Sequence, residues 1–309
     1  MSTAKHLLHA LNLPTGDGYD LPTSALRFPD GAHYRIEIPS VEGPGAMAAV
    51  IEAARQHGVT VHRVSQGSGM MLLTNAELRE MARLGAEQRI EVSLFVGPRA
   101  AWEGTGQPLT PDGKLMGSRH TGMDQLAYAF DDIVRGVEAG IRSILVADEG
   151  LLWLVNQARQ RGVLPADLVV KGSAVLGVAN PLGVKLLQEN GLDTINVASD
   201  ISLPRLAAMR QVLAIPLDLY IEGPDGLGGF TRYYEIPEII RVGAPVYLKF
   251  GLRNAPNIYP SGVHLEAAAI ATGRERVHRA AIGMELLARA GASFTASPVG
   301  AQGLGIPQI

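Results

Sequence analysis

Residues 140–155 read GIRSILVADEGLLWLV, and the way this stretch changes character decides the fold. An aliphatic run over Ser143–Ala147 is too short for a buried helix and carries no polar alternation, the pattern of a strand covered on both faces. It stops at two adjacent acids, Asp148 and Glu149, and Gly150 then opens an amphipathic segment of helical length. Asp is a favoured N-cap, and negative charge suits a helix N-terminus. A strand running straight into a capped helix is the βα unit of a parallel sheet.

The same unit recurs on both sides. Strand candidates lie at Tyr34–Ile38, Val59–Val64, Ile90–Val96, Ser143–Ala147, Leu168–Lys171, Thr194–Ala198, Leu217–Ile221 and Val246–Phe250. Helical segments fit between them. GAMAAVIEAARQHG closes on a glycine suited to a left-handed C-cap, and TNAELREMARLG opens on Thr74 or Asn75 and is expected to close on its glycine in the same way. Eight parallel strands with intervening helices most simply close into a (β/α)8 TIM barrel. The rival is an open doubly wound sheet, but no Gly-x-Gly-x-x-Gly follows the first strand, which weakens its dinucleotide-binding version. Residues 1–33, rich in Gly, Pro and Asp, are expected to form an N-terminal arm with one short helix, Lys5–Leu11. Residues 34–309 form a single barrel domain with an extra C-terminal helix, Arg274–Ala290, and a Gly/Pro-rich tail.

Composition narrows the function. With 47% hydrophobic, 18% charged and 5% aromatic residues the chain is rich in aliphatic core, as strands buried on both faces require. A net charge of −3 argues against a nucleic-acid partner held through bulk charge. Zero cysteines exclude disulfides, thiolate zinc sites, a cysteine nucleophile and a cysteine-ligated iron–sulfur cluster. Neither a secretory signal nor an apolar run long enough to span a membrane is legible, so the expected location is cytoplasmic, without a membrane partner.

Barrel enzymes carry their chemistry where strands end and helices begin, so residues there are the candidates. Asp148 and Glu149 follow strand four. Lys171 ends strand five, Asp200 follows strand six, Glu222 ends strand seven and Lys249 ends strand eight, with Arg253 close behind. Ring closure is expected to gather these charges at one mouth. The competing possibility is that they neutralise one another as buried ion pairs. Glu37, inside strand one, is costly there unless it is paired. His62, Arg63 and Gln66 stand near the end of strand two. The long loop from strand three to about Thr121 carries Arg99, Arg119 and His120, suited to anion capture and acid–base work. GPDGLGGF, residues 223–230, resembles a backbone phosphate cradle.

The middle of the chain resembles the U32 peptidase-like family. GIRSILVADEGLLWLV matches its fourth strand and helix, and ADLVVKGSAVLGVANPLGVKLLQENGLDTINVASDISLPRL continues the match, which covers about residues 138–224. Lys171 stands at the family's strand-five histidine, Ser173 at its serine, Asn180 at its turn asparagine and Asp200 at its acid. Glu222 takes the place of a later histidine. The resemblance implies a barrel and a peptidase label, while the family's cysteines are missing here.

Together these expectations describe a hydrolase of an amide or peptide-like bond in a small anionic molecule. Asp148, Asp200 and Glu222 would activate water, with Asp148, Glu149 and Glu222 as ligands if a divalent metal takes part. Lys171 completes the catalytic set, and Arg99, His120, Ser173, Lys249 and Arg253 would bind substrate. The alternatives are a lyase or aldolase acting through Lys171 or Lys249 as a Schiff-base amine, and a non-catalytic partner subunit. Self-association into a homo-oligomer stays open.

Overall fold

The computed structural model describes residues 3–15, 17, 20–102 and 106–309. Eight parallel strands close into a barrel in sequence order. They are β1 (Tyr34–Pro39), β2 (Arg63–Gln66), β3 (Glu91–Phe95), β4 (Ser143–Val146), β5 (Val169–Gly172), β6 (Thr194–Asn196), β7 (Leu217–Glu222) and β8 (Val246–Phe250). Closure is made by β1 against β8, where Tyr34 pairs with Val246 and Glu37 with Lys249.

Around the strands lie α1 (Thr3–Ala10), α2 (Pro44–His57), α3 (Asn75–Gln88), α4 (Gly122–Glu138), α5 (Glu149–Gln160), α6 (Pro181–Glu189), α7 (Leu203–Val212), α8 (Ile236–Gly243) and α9 (Glu266–Arg289). No helix among the described residues is long and apolar enough to cross a membrane.

Local chemistry sets the helix ends. Thr74 accepts from the Glu77 N–H while the Glu77 side chain returns to the Thr74 N–H, a capping box that opens α3. Asp148 caps α5 and Asn180 caps α6. Three sequence expectations need correction. Strand two begins four residues later than its β-branched run suggests, because its ladder to β1 starts at the Glu37–Arg63 pair. Gly85 does not end α3. It sits inside the helix, where an added Cβ would lie 2.6 Å from Val92 Cγ2, so it permits close helix–strand contact, and Arg89 supplies the left-handed cap. The last helix starts eight residues earlier than expected, at Glu266.

The strands divide the protein into two unlike interiors. Outward-facing Ile36, Ile38, Val64, Val92, Leu94, Ile144, Val146, Val170, Leu219 and Leu248 join the apolar core shared with the helices. The inward face is polar and ionic, whereas Val, Ile and Leu usually dominate there. Glu37, Arg63, Glu91, Lys171 and Asp218 are all buried within it. The chain ends close the base of the barrel. Phe28 packs edge-on against Tyr247, and Arg35 donates to the Gln302 carbonyl of the tail at 2.7 Å. Gln308 N–H bonds the Gly140 carbonyl at 2.9 Å.

Candidate functional site

A cavity of about 540 Å³ opens at the C-terminal end of the strands, a size suited to a small ligand. Its walls come from the ends of several strands and the loops after β1, β2, β3, β5, β7 and β8, with one side chain from α9. Among the described residues its charged lining consists of Lys249, Arg99, Arg276 and Asp225. Polar lining includes Ser40, Ser65, Gln66, Ser173, Asn196, Tyr220 and Tyr259, while Phe95, Leu145 and Val175 supply an apolar side.

Lys249 is the amine of this cavity. It is the penultimate residue of β8 and points inward because alternate strand residues face the barrel axis. Its Nζ donates to Asn196 Oδ1 at 2.9 Å, lies 3.1 Å from Glu37 Oε1 and sits 4.6 Å from the centre of the Tyr220 ring. Asn196 is oriented in turn by donating to the Gly172 carbonyl at 2.8 Å.

Beneath Lys249 lies a sealed ionic layer. Glu37 accepts from Ser65 Oγ at 2.6 Å, pairs with Arg63 at 3.3 Å, and turns its second oxygen to Lys171. Lys171 also pairs with Asp218 at 3.0 Å. Arg63 joins Glu91 at 2.8 Å and Asp218 at 3.2 Å, and its guanidinium stacks 3.7 Å above the Tyr247 ring. Three carboxylates thus meet three cations once Lys249 is included. Burial alone would raise the Glu37 carboxyl, but Lys171, Lys249 and Arg63 outweigh it and hold it well below its ordinary value. Burial pulls the Lys171 ammonium down to about 8 even with Asp218 and Glu37 opposing.

The expected gathering of Lys171, Asp200, Glu222 and Lys249 at one mouth is therefore corrected. Lys249 reaches the cavity, while Lys171 is fully enclosed one level below it, paired as the competing reading anticipated. Asp200 lies in a separate groove beside Phe230, Arg232 and Arg241. Glu222 is buried on the rim, accepting from Tyr233 Oη at 2.5 Å and Arg253 N–H at 2.9 Å, with Arg279 3.9 Å away. A bulge between Tyr220 and Glu222 accompanies this change of direction.

Asp148 spends its oxygens on the Leu151 N–H at 2.9 Å and the His120 N–H at 3.2 Å. Burial would raise its carboxyl, but His120 and Leu151 hold it down to about 2. Glu149 pairs with Arg119. The acids expected to hold a metal therefore do not converge, and among the described residues no group of three or more His, Asp or Glu side chains is placed to hold one. The His120 ring is buried beside Asp148, outside the cavity lining.

Of the expected binding residues, Arg99 and Ser173 line the cavity with Lys249. Arg253 stands outside it, half-exposed, 3.7 Å from Asp225. The glycine-rich loop is not a free phosphate cradle. The N–H groups of Gly223, Leu227, Gly228 and Gly229 are taken by the carbonyls of Phe230, Pro224, Asp225 and Pro224.

No family model matches the chain, and no curated protein matches its sequence. Solved structures share its fold. The U32 peptidase Mk0906 is 14% identical with a TM-score of 0.41, over 68% of this chain and 74% of that one. YagE, a prophage protein of the dihydrodipicolinic acid synthase family from E. coli K12, solved in complex with pyruvate, is 16% identical with a TM-score of 0.44, over 82% and 80%. A truncated 3-deoxy-D-arabino-heptulosonate 7-phosphate synthase from Thermotoga maritima is 14% identical with a TM-score of 0.48, over 89% and 95%. The likeness is one of fold. A U32 peptidase stands beside barrels of other chemistry, and the U32 resemblance goes no further than the barrel.

Sequence reasoning missed Arg276, Tyr220, Tyr259 and Asn196. Arg276 had a readable signal: it shares the buried stripe of α9 with Thr272, Gly273, Val277 and Ala280, where an arginine is out of place unless it serves something on that side.

Proposed function

We propose that this protein is a lyase or aldolase that binds a small anionic carbonyl compound and activates it as a Schiff base on Lys249. The observation that carries the reading is the position of Lys249 Nζ in the cavity wall, with Glu37 Oε1 and Asn196 Oδ1 fixing it from below.

The proton path follows from the two oxygens of Glu37. One faces Lys249 and the other faces Lys171. When Lys171 is neutral, Lys249 passes a proton through Glu37 to it and becomes the free amine. The amine attacks the carbonyl carbon, forming a C–N bond and a hydroxyl. That hydroxyl leaves as water with the proton returned through the same carboxylate, giving the iminium. Lys249–NH3⁺ and a ketone thus yield the iminium and one water, with charge conserved. The electron pair of a cleaving Cα–Cβ bond then flows into the iminium, giving the enamine of Lys249 while the β-carbon leaves as a carbonyl and its hydroxyl proton is released. Protonation of the enamine at Cα and addition of one water free the second product and restore Lys249–NH3⁺. Glu37, held ionised by its three cations, stabilises the iminium charge.

Amide hydrolysis by carboxylate-activated water draws less from this cavity. Among the described residues its one lining carboxylate, Asp225, is half-exposed and already bonded to the Asn254 N–H and paired with Arg253.

The test is borohydride reduction in the presence of pyruvate, glyoxylate or dihydroxyacetone phosphate, followed by peptide mass spectrometry. The expected result is a stable adduct on Lys249 that disappears in Lys249→Met. Absence of an adduct at Lys249 with all three carbonyl compounds, or undiminished adduct in the variant, overturns the reading.

A further inference from the structure

Two arginines reach the cavity wall with hydrogen-bonding capacity to spare. Arg99 arrives from the loop after β3, donates to the Gly67 carbonyl and stacks 3.7 Å from the Phe95 ring centre and 4.4 Å from that of Trp102. Arg276 arrives from the middle of α9, is 4% exposed, and donates to Thr272 Oγ1 at 3.2 Å and the Ser40 carbonyl at 3.5 Å. In both, the buried Nε–H has no hydrogen-bond partner among the described residues. Both guanidinium groups line the cavity and so present donors to whatever occupies it, and the unmet buried Nε–H groups mark how incompletely the protein alone satisfies them.

The two occupy one corner: Arg99 bonds the Gly67 carbonyl, Gly67 abuts the Tyr259 ring, and the Ser40 that meets Tyr259 accepts through its carbonyl from Arg276. Tyr259 and Glu42 interact electrostatically with both guanidinium groups. Tyr259 is hydrogen-bonded to Ser40 there. Glu42 is the carboxylate that faces both, one charge against two. Its oxygens accept from the Gly67 and Ser68 N–H groups at 2.7 and 3.1 Å, and burial raises its carboxyl above the ordinary value. Burial also lowers both arginines, Arg99 to about 10, with Glu42 opposing the shift.

We propose that Arg99 and Arg276 form the seat of a terminal phosphate, which makes the substrate a small phosphorylated carbonyl compound. Two cations opposed by one shared carboxylate leave the corner net positive, which suits a single compact anionic group. A dicarboxylate would divide its charges between separate places. The planar fork of arginine suits the oxygens of a phosphate, and the Ser40 and Tyr259 hydroxyls lie beside it as further donors. Tyr220 stands between this corner and the amine: its ring covers Lys249 while its hydroxyl lies in the field of Arg276. The orientation, phosphate at the arginines and carbonyl at Lys249, rests on the Schiff-base reading. The seat itself does not.

Calorimetric titration of the full chain with inorganic phosphate and with succinate tests the seat. Phosphate is expected to bind the wild type more tightly than succinate does. Arg276→Gln and Arg99→Gln should each weaken phosphate binding at least tenfold, and Arg276→Lys, which keeps the charge and loses the fork, should fall between. Lys249→Met should bind phosphate as the wild type does, so a failure of Schiff-base trapping leaves this result standing. The proposal is overturned if phosphate does not bind the wild type, if succinate binds as tightly, or if affinity survives in both Arg99→Gln and the folded Arg276 variants. Circular dichroism establishes folding, and Arg276→Lys carries the test should Arg276→Gln unfold.

Discussion

Replacing Arg63 by methionine probes the ionic layer on which the placement of Lys249 depends. Arg63 is fully buried, contacts Glu91, Asp218 and Glu37 at 2.8, 3.2 and 3.3 Å, and stacks on Tyr247. Methionine keeps much of the volume, so the loss is chiefly electrostatic. Three carboxylates would then face two lysines, leaving one negative charge uncompensated in a sealed interior. Removing one partner of a buried pair costs about 3–5 kcal/mol, and that is the deficit expected at pH 7. Acid should shrink it. In the wild type the Glu37 carboxyl lies well below its ordinary 4.5, so its contribution is fully present above that value and lost only as pH falls through the lower, folded one. In the variant one carboxylate of the layer becomes easier to protonate when folded than when unfolded. Its stabilising protonation is complete below the unfolded value and is lost as pH rises through the folded one. The deficit should therefore be at least about 1 kcal/mol smaller at pH 5 than at pH 7, and adding Glu91→Gln should restore part of it. Urea unfolding followed by circular dichroism is the assay, since an uncharged denaturant leaves the ion pairs unscreened. A deficit under about 1 kcal/mol at pH 7, or one that does not change between pH 7 and 5, refutes the account of the layer as a charge-balanced support.

Two shorter expectations accompany it. Asp148→Ala should lower stability by about 1–2 kcal/mol through the lost α5 cap, with Asp148→Asn much milder, and neither should alter borohydride trapping. Because the Asp148 carboxyl is held at about 2, its advantage is present above its ordinary 3.8 and fades toward pH 2. Thermal melts of the three proteins across that window would show the gap closing, and a hundredfold loss of trapping in Asp148→Asn would return the residue to the chemistry. With Lys171 drawn down to about 8 by burial, the proton relay predicts that trapping accelerates as pH rises through 8 and levels off above it. Lys171→Met should flatten that profile in stopped-flow or quench measurements, and an unchanged profile would remove Lys171 from the path.

The barrel was legible because each strand is short, aliphatic on one face and followed by a capped helix, and these signals depend only on neighbours in sequence. Even the misplaced helix end at Gly85 reflects a local rule overridden by contact with Val92 and Pro307. The site was legible only in part. Lys249, Arg99 and Ser173 could be placed from the ends of their strands. Asp200 and Glu222 follow strand ends too, but side-chain direction after a strand depends on bulges and loop turns that residue types do not encode. Arg276 comes from the last helix, which reaches the mouth only because α9 packs along α2 and the end of the barrel. A stronger signal of the site lies in the strands themselves. Arg35 and Glu37, Arg63 and Ser65, Glu91 and Ser93, Asp218 and Tyr220 alternate with aliphatic residues, a period of two. In a barrel strand, whose outer face must be apolar, that alternation means a polar interior.

A polar interior changes what holds the fold and what the mouth can do. The shell between strands and helices carries the apolar burial, at about 1.5–3 kcal/mol for each large aliphatic side chain taken from water. Residues such as Ile38, Val64, Leu94 and Leu248 are fully enclosed there. The ionic layer need not add net stability. A buried ion-pair network roughly breaks even against apolar residues of the same volume. Its consequence is positional. In an apolar barrel a lysine at the end of β8 would have to extend its amine toward water. Here Glu37 and Asn196 hold the amine at the cavity wall, and Ser65, Arg63 and Lys171 hold Glu37 in turn. Fixing the nucleophile in this way removes orientational freedom before a substrate arrives. The layer that looks like self-neutralised charge therefore supports the chemistry proposed for Lys249.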